Sequence, residues 1–154
     1  MIVSGTGHRP NKLGGYSPQA NTKLVGIILK WLRENKVEKV ISGMALGWDT
    51  ALAHAAEIEG IYLLCAIPFE GQELIWPRES KIIYNSILDN AHEVVVTSSG
   101  GYSPAKMQIR NQWMVDNSDL VLAMWDGTTG GTYNCIKYAE SKNKQIINLY
   151  SQFK

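Results

Sequence analysis

The chain has 154 residues, a length that suits one domain burying roughly two-thirds of the surface of its unfolded state. Its 15 basic and 14 acidic residues give a formal net charge of +1, so no overall positive field favours nucleic acid or a membrane, and we expect neither as a partner. The first ten residues lack the pattern of a signal peptide, and the apolar runs are too short for a membrane span. We therefore expect a cytoplasmic protein.

Apolar runs of strand length alternate with helical patterns along the whole chain. The predicted strands are Met1–Ser4, Lys39–Ser42, Ile61–Ile67, Glu93–Thr97, Leu120–Trp125 and Gln145–Leu149. The predicted helices are Pro18–Asn35, Thr50–Glu59, Arg78–Leu88, Lys106–Asn117 and Thr132–Ser141. Strands that alternate with helices are typical of a mainly parallel sheet with helices on both faces. The sequence therefore predicts a single α/β domain over residues 1–154.

The two cysteines lie in apolar surroundings. Cys65 belongs to a predicted strand, and Cys135 lies on the apolar side of a predicted helix. Cysteines in such places are usually reduced core thiols rather than disulfide partners, which agrees with an intracellular compartment.

Loops rich in glycine and polar residues follow four of the predicted strands. They are Gly5–Pro10, Ser42–Thr50, Pro68–Gln72 and Asp126–Thr132. In an open parallel sheet the carboxyl ends of the strands form the rim at which ligands bind. Glycine-rich turns and helix N-termini also point free backbone N–H groups at an anion. The convergence of these loops predicts a small-molecule site with phosphate as its handle.

The loop before the last predicted helix is the strongest phosphate-binding signal. Its glycines allow the backbone to approach a ligand closely, and its threonine hydroxyls can bond phosphate or sugar oxygens. The candidate ligand-binding residues of this loop are Gly127, Thr128, Gly130, Gly131 and Thr132. Taken alone, a strand-to-helix turn that needs positive φ would have a similar sequence.

Charged side chains in the other loops supply further candidate contacts. Arg9 can hold a phosphate through two parallel hydrogen bonds. His8 either donates to the same anion or fixes the loop through a hydrogen bond, and Asp49 either accepts from a ribose hydroxyl or caps the helix that follows. The remaining candidates on these loops are Gly5, Thr6, Gly7, Ser42 and Gly43.

Catalytic chemistry has fewer candidates. Glu70 follows a Pro-Phe turn and is the best-placed free carboxylate, unless it is simply a solvated loop acid. The run Met107–Asn111 opens the predicted fourth helix, so we expect Arg110 and Asn111 to face the same rim. No His, Cys, Asp and Glu spacing suits a metal, and no Ser–His–Asp or Cys–His arrangement can be assembled. We therefore expect no metal, no cofactor and no acyl transfer.

Three separated parts of the chain carry distinctive motifs: Thr6–Pro10, Ser42–Asp49, and Asn117–Asp119 followed by Trp125–Thr132. Together they resemble the YpsA-like branch of the SLOG superfamily, which also contains the Lonely Guy phosphoribohydrolases and the DNA-processing protein DprA. The resemblance covers nearly the whole chain. It implies a Rossmann-like fold whose glycine-rich loops bind nucleotides or nucleotide-derived signals.

Two short segments, Met107–Arg110 and Gly130–Thr132, are similar to signatures of the Lonely Guy enzymes. Those enzymes cleave the N-glycosidic bond of nucleoside monophosphates with an arginine and a glutamate. Arg110 matches the arginine, whereas the glutamate region is Tyr133-Asn134-Cys135 and has no carboxylate. Because a glycosidase needs an acid or base at the reacting centre, we expect a nucleotide sensor or a sequestering module.

The alternative function is a nucleoside 5′-monophosphate N-glycosidase that uses Arg110 with Glu70 or Asp126. A third class, binding of single-stranded DNA, is suggested by the DprA-like relatives. A strand binder needs a basic groove with stacking aromatics, but here the rim cations are only Arg9, Arg78 and Arg110. We therefore expect a small-molecule nucleotide ligand and no nucleic acid, and we leave homo-oligomer formation open.

Overall fold

Six parallel strands form one sheet with helices on both faces. The computed structural model describes residues 1–154. The strands are β1 (Ile2–Gly7), β2 (Lys39–Ser42), β3 (Tyr62–Ile67), β4 (Glu93–Val96), β5 (Leu120–Met124) and β6 (Gln145–Asn148). The helices are α1 (Pro18–Glu34), α2 (Trp48–Glu59), α3 (Arg78–Asn90), α4 (Pro104–Asp116), α5 (Gly131–Ser141) and α6 (Tyr150–Phe153). The predicted single-domain, Rossmann-like α/β fold is confirmed.

The order of the strands places a crevice at the centre of the sheet. The order is β4-β3-β2-β1-β5-β6, and every neighbouring pair is parallel. The chain builds outward from β1 in one direction and then crosses to β5 on the other side. Such a reversal is a topological switch point, where loops from adjacent strands diverge and leave room for a ligand.

Capping residues in the sequence determine where the long helices begin. The Ser17 hydroxyl accepts the Ala20 N–H at the start of α1, and Ser103 accepts the Lys106 N–H at the start of α4. A proline follows each serine, with its fixed φ suited to the first helical position.

The core is divided between the two faces of the sheet. The larger hydrophobic cluster lies under α1, α2, α3 and α6, and two smaller clusters lie under α4 and α5. Strand β5 shows the alternation that this requires, since Leu120, Leu122 and Met124 belong to the larger cluster and Val121 to a smaller one.

Strand β1 is longer than predicted. It continues to Gly7, with Gly5, Thr6 and Gly7 paired to β5, so these residues are strand rather than loop. A Cβ at Gly7 would lie 2.4 Å from the indole Cγ of Trp48. Trp48 is fully buried and donates its indole N–H to the Leu122 carbonyl over 3.1 Å. Gly7 therefore makes room for α2 against the sheet.

Both thiols lie in the interior. Cys65 and Cys135 are buried and free, and burial raises their pKa to about 12 and about 11.

None of the helices combines the length and the apolar character that crossing a membrane requires.

Candidate functional site

A polar cleft of about 280 Å³ opens where β1 and β5 end, at the switch point of the sheet. The end of β1 contributes Thr6 and Gly7 to its wall, and the segment that follows contributes His8, Arg9, Asn11 and Lys12. The other walls are Ala45 and Asp49, then Met107, Arg110 and Asn111 of α4, and the run Thr128–Thr132 that leads into α5. Only Ala45 and Met107 among these residues are hydrophobic, so the cleft suits a polar ligand.

The N-terminus of α5 forms one wall of the cleft. Gly130 precedes the helix with φ of +145°, no side chain caps it, and no acidic residue occupies its first turn. The first-turn N–H groups of a helix have no partner within the helix. A Cβ at Gly130 or Gly131 would meet no atom within 4 Å. The backbone therefore faces open space that an anion can fill, and the helix dipole favours it there.

Two cations from the loop after β1 lie at the mouth of the cleft. Arg9 is exposed and makes no side-chain hydrogen bond or ion pair, so its guanidinium is free for a ligand. Lys12 lies 3.5 Å from the carboxylate of Asp126 and donates to the Thr128 hydroxyl over 2.5 Å. Lys12 thus helps to hold the loop before α5 while remaining at the edge of the cleft.

Asp126 lies beneath the cleft wall and fixes this loop. The hydroxyl and the N–H of Thr128 donate to its Oδ1 over 2.5 and 3.0 Å, and Nε2 of His8 lies 2.8 Å from the same oxygen. The bonds from Thr128, helped by His8, hold the pKa of Asp126 well below its usual range. A carboxylate that stays ionised in this way is suited to positioning the loop and unsuited to acting as a general acid.

Arg110 lies on the floor of the cleft and is only 4% exposed. Its Nη1 donates to the Gly43 carbonyl over 2.5 Å, and its Nε donates to Oδ1 of Asn111 over 3.1 Å. A Cβ at Gly43 would lie 2.6 Å from Nη1, so only glycine allows the guanidinium this close. The remaining nitrogen, Nη2, has no hydrogen-bond partner in the protein. Every fully buried side-chain polar atom does have such a partner, so Nη2 is not fully buried and is accessible from the cleft that Arg110 lines.

Asp49 lies on the same floor and is 6% exposed. Its Oδ2 accepts the Ala45 N–H over 3.3 Å, and its Oδ1 has no protein partner and is open to the cleft. Burial raises the pKa of Asp49, while the charge of Arg110 opposes that rise; burial likewise lowers the pKa of Arg110, opposed by Asp49. The floor thus offers a ligand one cationic donor and one carboxyl oxygen.

The structure brings most of the predicted site residues together. The members of the predicted set that line the cleft are Thr6, Gly7, His8, Arg9, Asp49, Arg110, Thr128, Gly130, Gly131 and Thr132. The members that lie outside it are Gly5, Ser42, Gly43, Gly127, Glu70 and Asp126.

Each residue outside the cleft has another place in the fold. Gly5 lies in β1 against Leu52, and the Ser42 hydroxyl donates to the Asp49 carbonyl over 2.7 Å. Gly127 lies at the exposed tip of its loop. Glu70 lines a neighbouring apolar pocket and does not share the cleft with Arg110.

Sequence reasoning missed several wall residues: Asn11, Lys12, Ala45 and Thr129. Lys12 had a usable signal, since it is a second cation three positions after Arg9 in the same loop. Trp125 donates its indole N–H to the Thr128 carbonyl and does not line the cleft. No group of three or more His, Cys, Asp or Glu side chains is arranged to hold a metal ion.

Comparison with known proteins places the chain in a family. A model of the YspA SLOG family matches residues 3–152. The SPbeta prophage-derived protein YoqJ of Bacillus subtilis (strain 168) is 32% identical over 149 residues, which cover 85% of this chain and 87% of YoqJ.

Solved structures of DNA processing protein A (DprA) have the same fold. The protein from Streptococcus pneumoniae superposes with a TM-score of 0.70 and 21% identity, over 99% of this chain and 52% of that one. The structure of the protein from Helicobacter pylori is described in terms of its single-stranded DNA binding mode. It superposes with a TM-score of 0.66 and 17% identity, over 95% of this chain and 63% of that one. The chain thus spans only about half to two-thirds of these DprA chains.

The prediction that nucleic acid is excluded as a partner is wrong. It rested on the net charge of +1 and on the scatter of lysine and arginine along the chain. A protein with the same fold is described as binding single-stranded DNA. Net charge averages over the whole surface, whereas a ligand meets the local field of a cleft, and here Arg9, Lys12 and Arg110 gather on one cleft.

Proposed function

Since the chain belongs to the YspA SLOG family, we propose that it binds a nucleotide or a nucleotide-derived small molecule in the polar cleft. It would act as a sensor or a sequestering module, with residues 1–154 as one nucleotide-binding domain. The observation that carries the proposal is the uncapped N-terminus of α5, which faces open space beside the unpaired guanidinium of Arg9.

The chemistry of the cleft supports a phosphorylated ligand. Arg9 supplies a planar fork for phosphate oxygens, and the backbone N–H groups at Gly131 and Thr132 supply donors that need no charge of their own. Oδ1 of Asp49 can accept from a hydroxyl of the sugar. Cations and helix N–H groups on one side, with an acceptor on the floor, match the two chemical parts of a ribose phosphate.

Titration calorimetry with a panel of nucleoside 5′-monophosphates and diphosphates tests the proposal. Removing Arg9 as Arg9→Ala should weaken binding by about 1.5–3 kcal/mol, the value of a hydrogen bond to a charged group. Arg78→Ala is the matched control, because Arg78 is an exposed arginine that does not line the cleft. Unchanged affinity in Arg9→Ala, or an equal loss in Arg78→Ala, would contradict the assignment.

A single-stranded oligonucleotide belongs in the same panel. A nucleotide within a strand presents the same phosphate and sugar, and the DprA fold is shared. If the oligonucleotide displaces a bound mononucleotide and has equal or higher affinity, the ligand is a nucleic-acid strand. An oligonucleotide that fails to compete would support the free nucleotide.

A second candidate is the nucleoside 5′-monophosphate N-glycosidase. The observation that favours it is Asp49, a buried carboxyl with a raised pKa that faces the cleft beside Arg110. In this arrangement Asp49 replaces Glu70 and Asp126 as the acid or base. Release of free base from a nucleotide panel, lost in Asp49→Asn, would establish turnover; absence of free base would leave the binding function.

We also propose that the protein works in the cytoplasm. Free nucleotides are abundant there, and the buried free thiols Cys65 and Cys135 suit a reducing compartment. Cell fractionation that finds the chain outside the cytoplasm would contradict this.

A further inference from the structure

A second, apolar pocket adjoins the polar cleft. Its volume is about 340 Å³, and most of its wall comes from the segment Phe69–Trp76 that follows β3 and from Tyr102 before α4. Arg9 and Met107 line both cavities, so the two meet at these side chains. Each volume lies near the lower end of the roughly 300–1,000 Å³ typical of small-molecule sites, and a ligand that passes Arg9 can reach both.

The wall of the apolar pocket is exposed in an unusual way. The side chains of Leu74, Ile75 and Tyr102 are 70%, 94% and 69% exposed. The Tyr102 ring meets Phe69 edge-on, with centroids 6.1 Å apart, which leaves a face of the tyrosine uncovered. Neighbouring apolar side chains that stay exposed mark a surface where an apolar group binds. An uncovered aromatic face in such a place suits a flat aromatic ring.

Glu70 is the one acidic side chain on this wall. It makes no hydrogen bond or ion pair with the protein, and an ionised carboxylate only accepts hydrogen bonds. A ring that enters the pocket is therefore recognised best if its edge carries N–H donors. Among the common bases, guanine presents two adjacent donors on one edge, its ring N–H and its exocyclic amino group, and these match the two oxygens of a carboxylate.

We propose that the apolar pocket holds the base of the nucleotide whose phosphate lies in the polar cleft, and that guanine nucleotides are the preferred ligand class. The base lies against the Tyr102 ring, and Glu70 accepts from its N–H edge. This inference rests on the proposed function for the phosphate and extends it by assigning the base site.

Calorimetric titration with three ligands tests the base site separately from the phosphate site. Guanosine 5′-monophosphate carries both parts, ribose 5-phosphate lacks the base, and inosine 5′-monophosphate lacks only the exocyclic amino group. We expect guanosine 5′-monophosphate to bind at least ten-fold more tightly than ribose 5-phosphate. Tyr102→Ala should weaken the binding of guanosine 5′-monophosphate about ten-fold, which is in the range of base–aromatic stacking. The affinity for ribose 5-phosphate should stay unchanged.

Two further variants complete the test. Glu70→Gln should abolish the preference for guanosine over inosine monophosphate, and Tyr16→Ala, at another exposed tyrosine outside both cavities, should change nothing. Equal affinity for ribose 5-phosphate and guanosine 5′-monophosphate would overturn the base site while the phosphate site stands. Adenosine 5′-monophosphate is titrated as a fourth ligand, and its binding more tightly than guanosine 5′-monophosphate would overturn the assignment to guanine. Failure of every phosphorylated ligand to bind would overturn the proposed function together with the base site.

Discussion

Replacing Gly131 by alanine should stabilise the fold and weaken the binding of the ligand at the same time. The added Cβ meets no protein atom within 4 Å, and Gly131 does not have positive φ, so the helix accepts it. Such a change typically stabilises a protein by about 0.4–1 kcal/mol through the unfolded state. The same methyl group enters the space before the first-turn N–H groups of α5. Loss of one hydrogen bond to a charged phosphate costs about 1.5–3 kcal/mol, or about ten- to hundred-fold in affinity.

The assay pairs thermal or denaturant unfolding with calorimetric titration of a nucleoside 5′-monophosphate. The matched control is Gly26→Ala, at an exposed glycine inside α1 that also has open space around it. It should raise stability by a similar amount and leave affinity unchanged. If Gly131→Ala keeps full affinity, the ligand does not contact the start of α5. If it destabilises the protein instead, the reasoning about the helix N-terminus is wrong.

Three further predictions concern stability and reactivity. Gly7→Ala forces a Cβ to within 2.4 Å of the Trp48 ring, and should lower the free energy of unfolding by about 1–3 kcal/mol. Cys65 and Cys135, with pKa values of about 12 and 11, should resist iodoacetamide at neutral pH until denaturant is added. Because the pKa of Asp126 is held below its unfolded value, its carboxylate stabilises the fold above about pH 4 and less as pH falls further, and Asp126→Asn should flatten that acid dependence.

Much of the fold could be predicted from local sequence. The Ser-Pro start of α1 at Ser17 carries its own capping chemistry, whereas α4 begins at Pro104, two residues before the predicted start at Lys106. The apolar strands are short and rich in β-branched residues, and their alternation with helices points to a parallel sheet. Local rules succeed here because the residues that begin or end an element are neighbours in the chain.

The glycines show where such reasoning stops. In the sequence, Gly7, Gly43, Gly130 and Gly131 all lie in segments that follow a predicted strand. In the fold, Gly7 makes room for Trp48 of α2, and Gly43 makes room for the guanidinium of a residue 67 positions away. Of these four glycines, Gly130 and Gly131 face open space. What stands opposite a glycine depends on tertiary packing, which the spacing of residues does not encode.

The carboxylates show the same limit. Glu70, Asp49 and Asp126 all lie in loops or helix starts at the rim. From the sequence alone, their suitability as functional carboxylates can be judged only by their position in these segments. The structure separates them by environment, with Glu70 in the apolar pocket, Asp49 buried on the cleft floor and Asp126 bonded beneath the wall. Burial and hydrogen-bond partners set the protonation of a carboxyl group, and both come from parts of the chain that are distant in sequence.

The most direct test of the central claim is a two-dimensional amide NMR titration of isotope-labelled protein with a nucleoside 5′-monophosphate, set beside the same nucleoside without its phosphate. Bound phosphate at the start of α5 predicts that the amides of Gly130, Gly131 and Thr132 show the largest shifts with the nucleotide. The nucleoside should leave these amides nearly unchanged. Nucleotide-induced shifts that spare these three amides and concentrate elsewhere, for example along β4, would contradict the account.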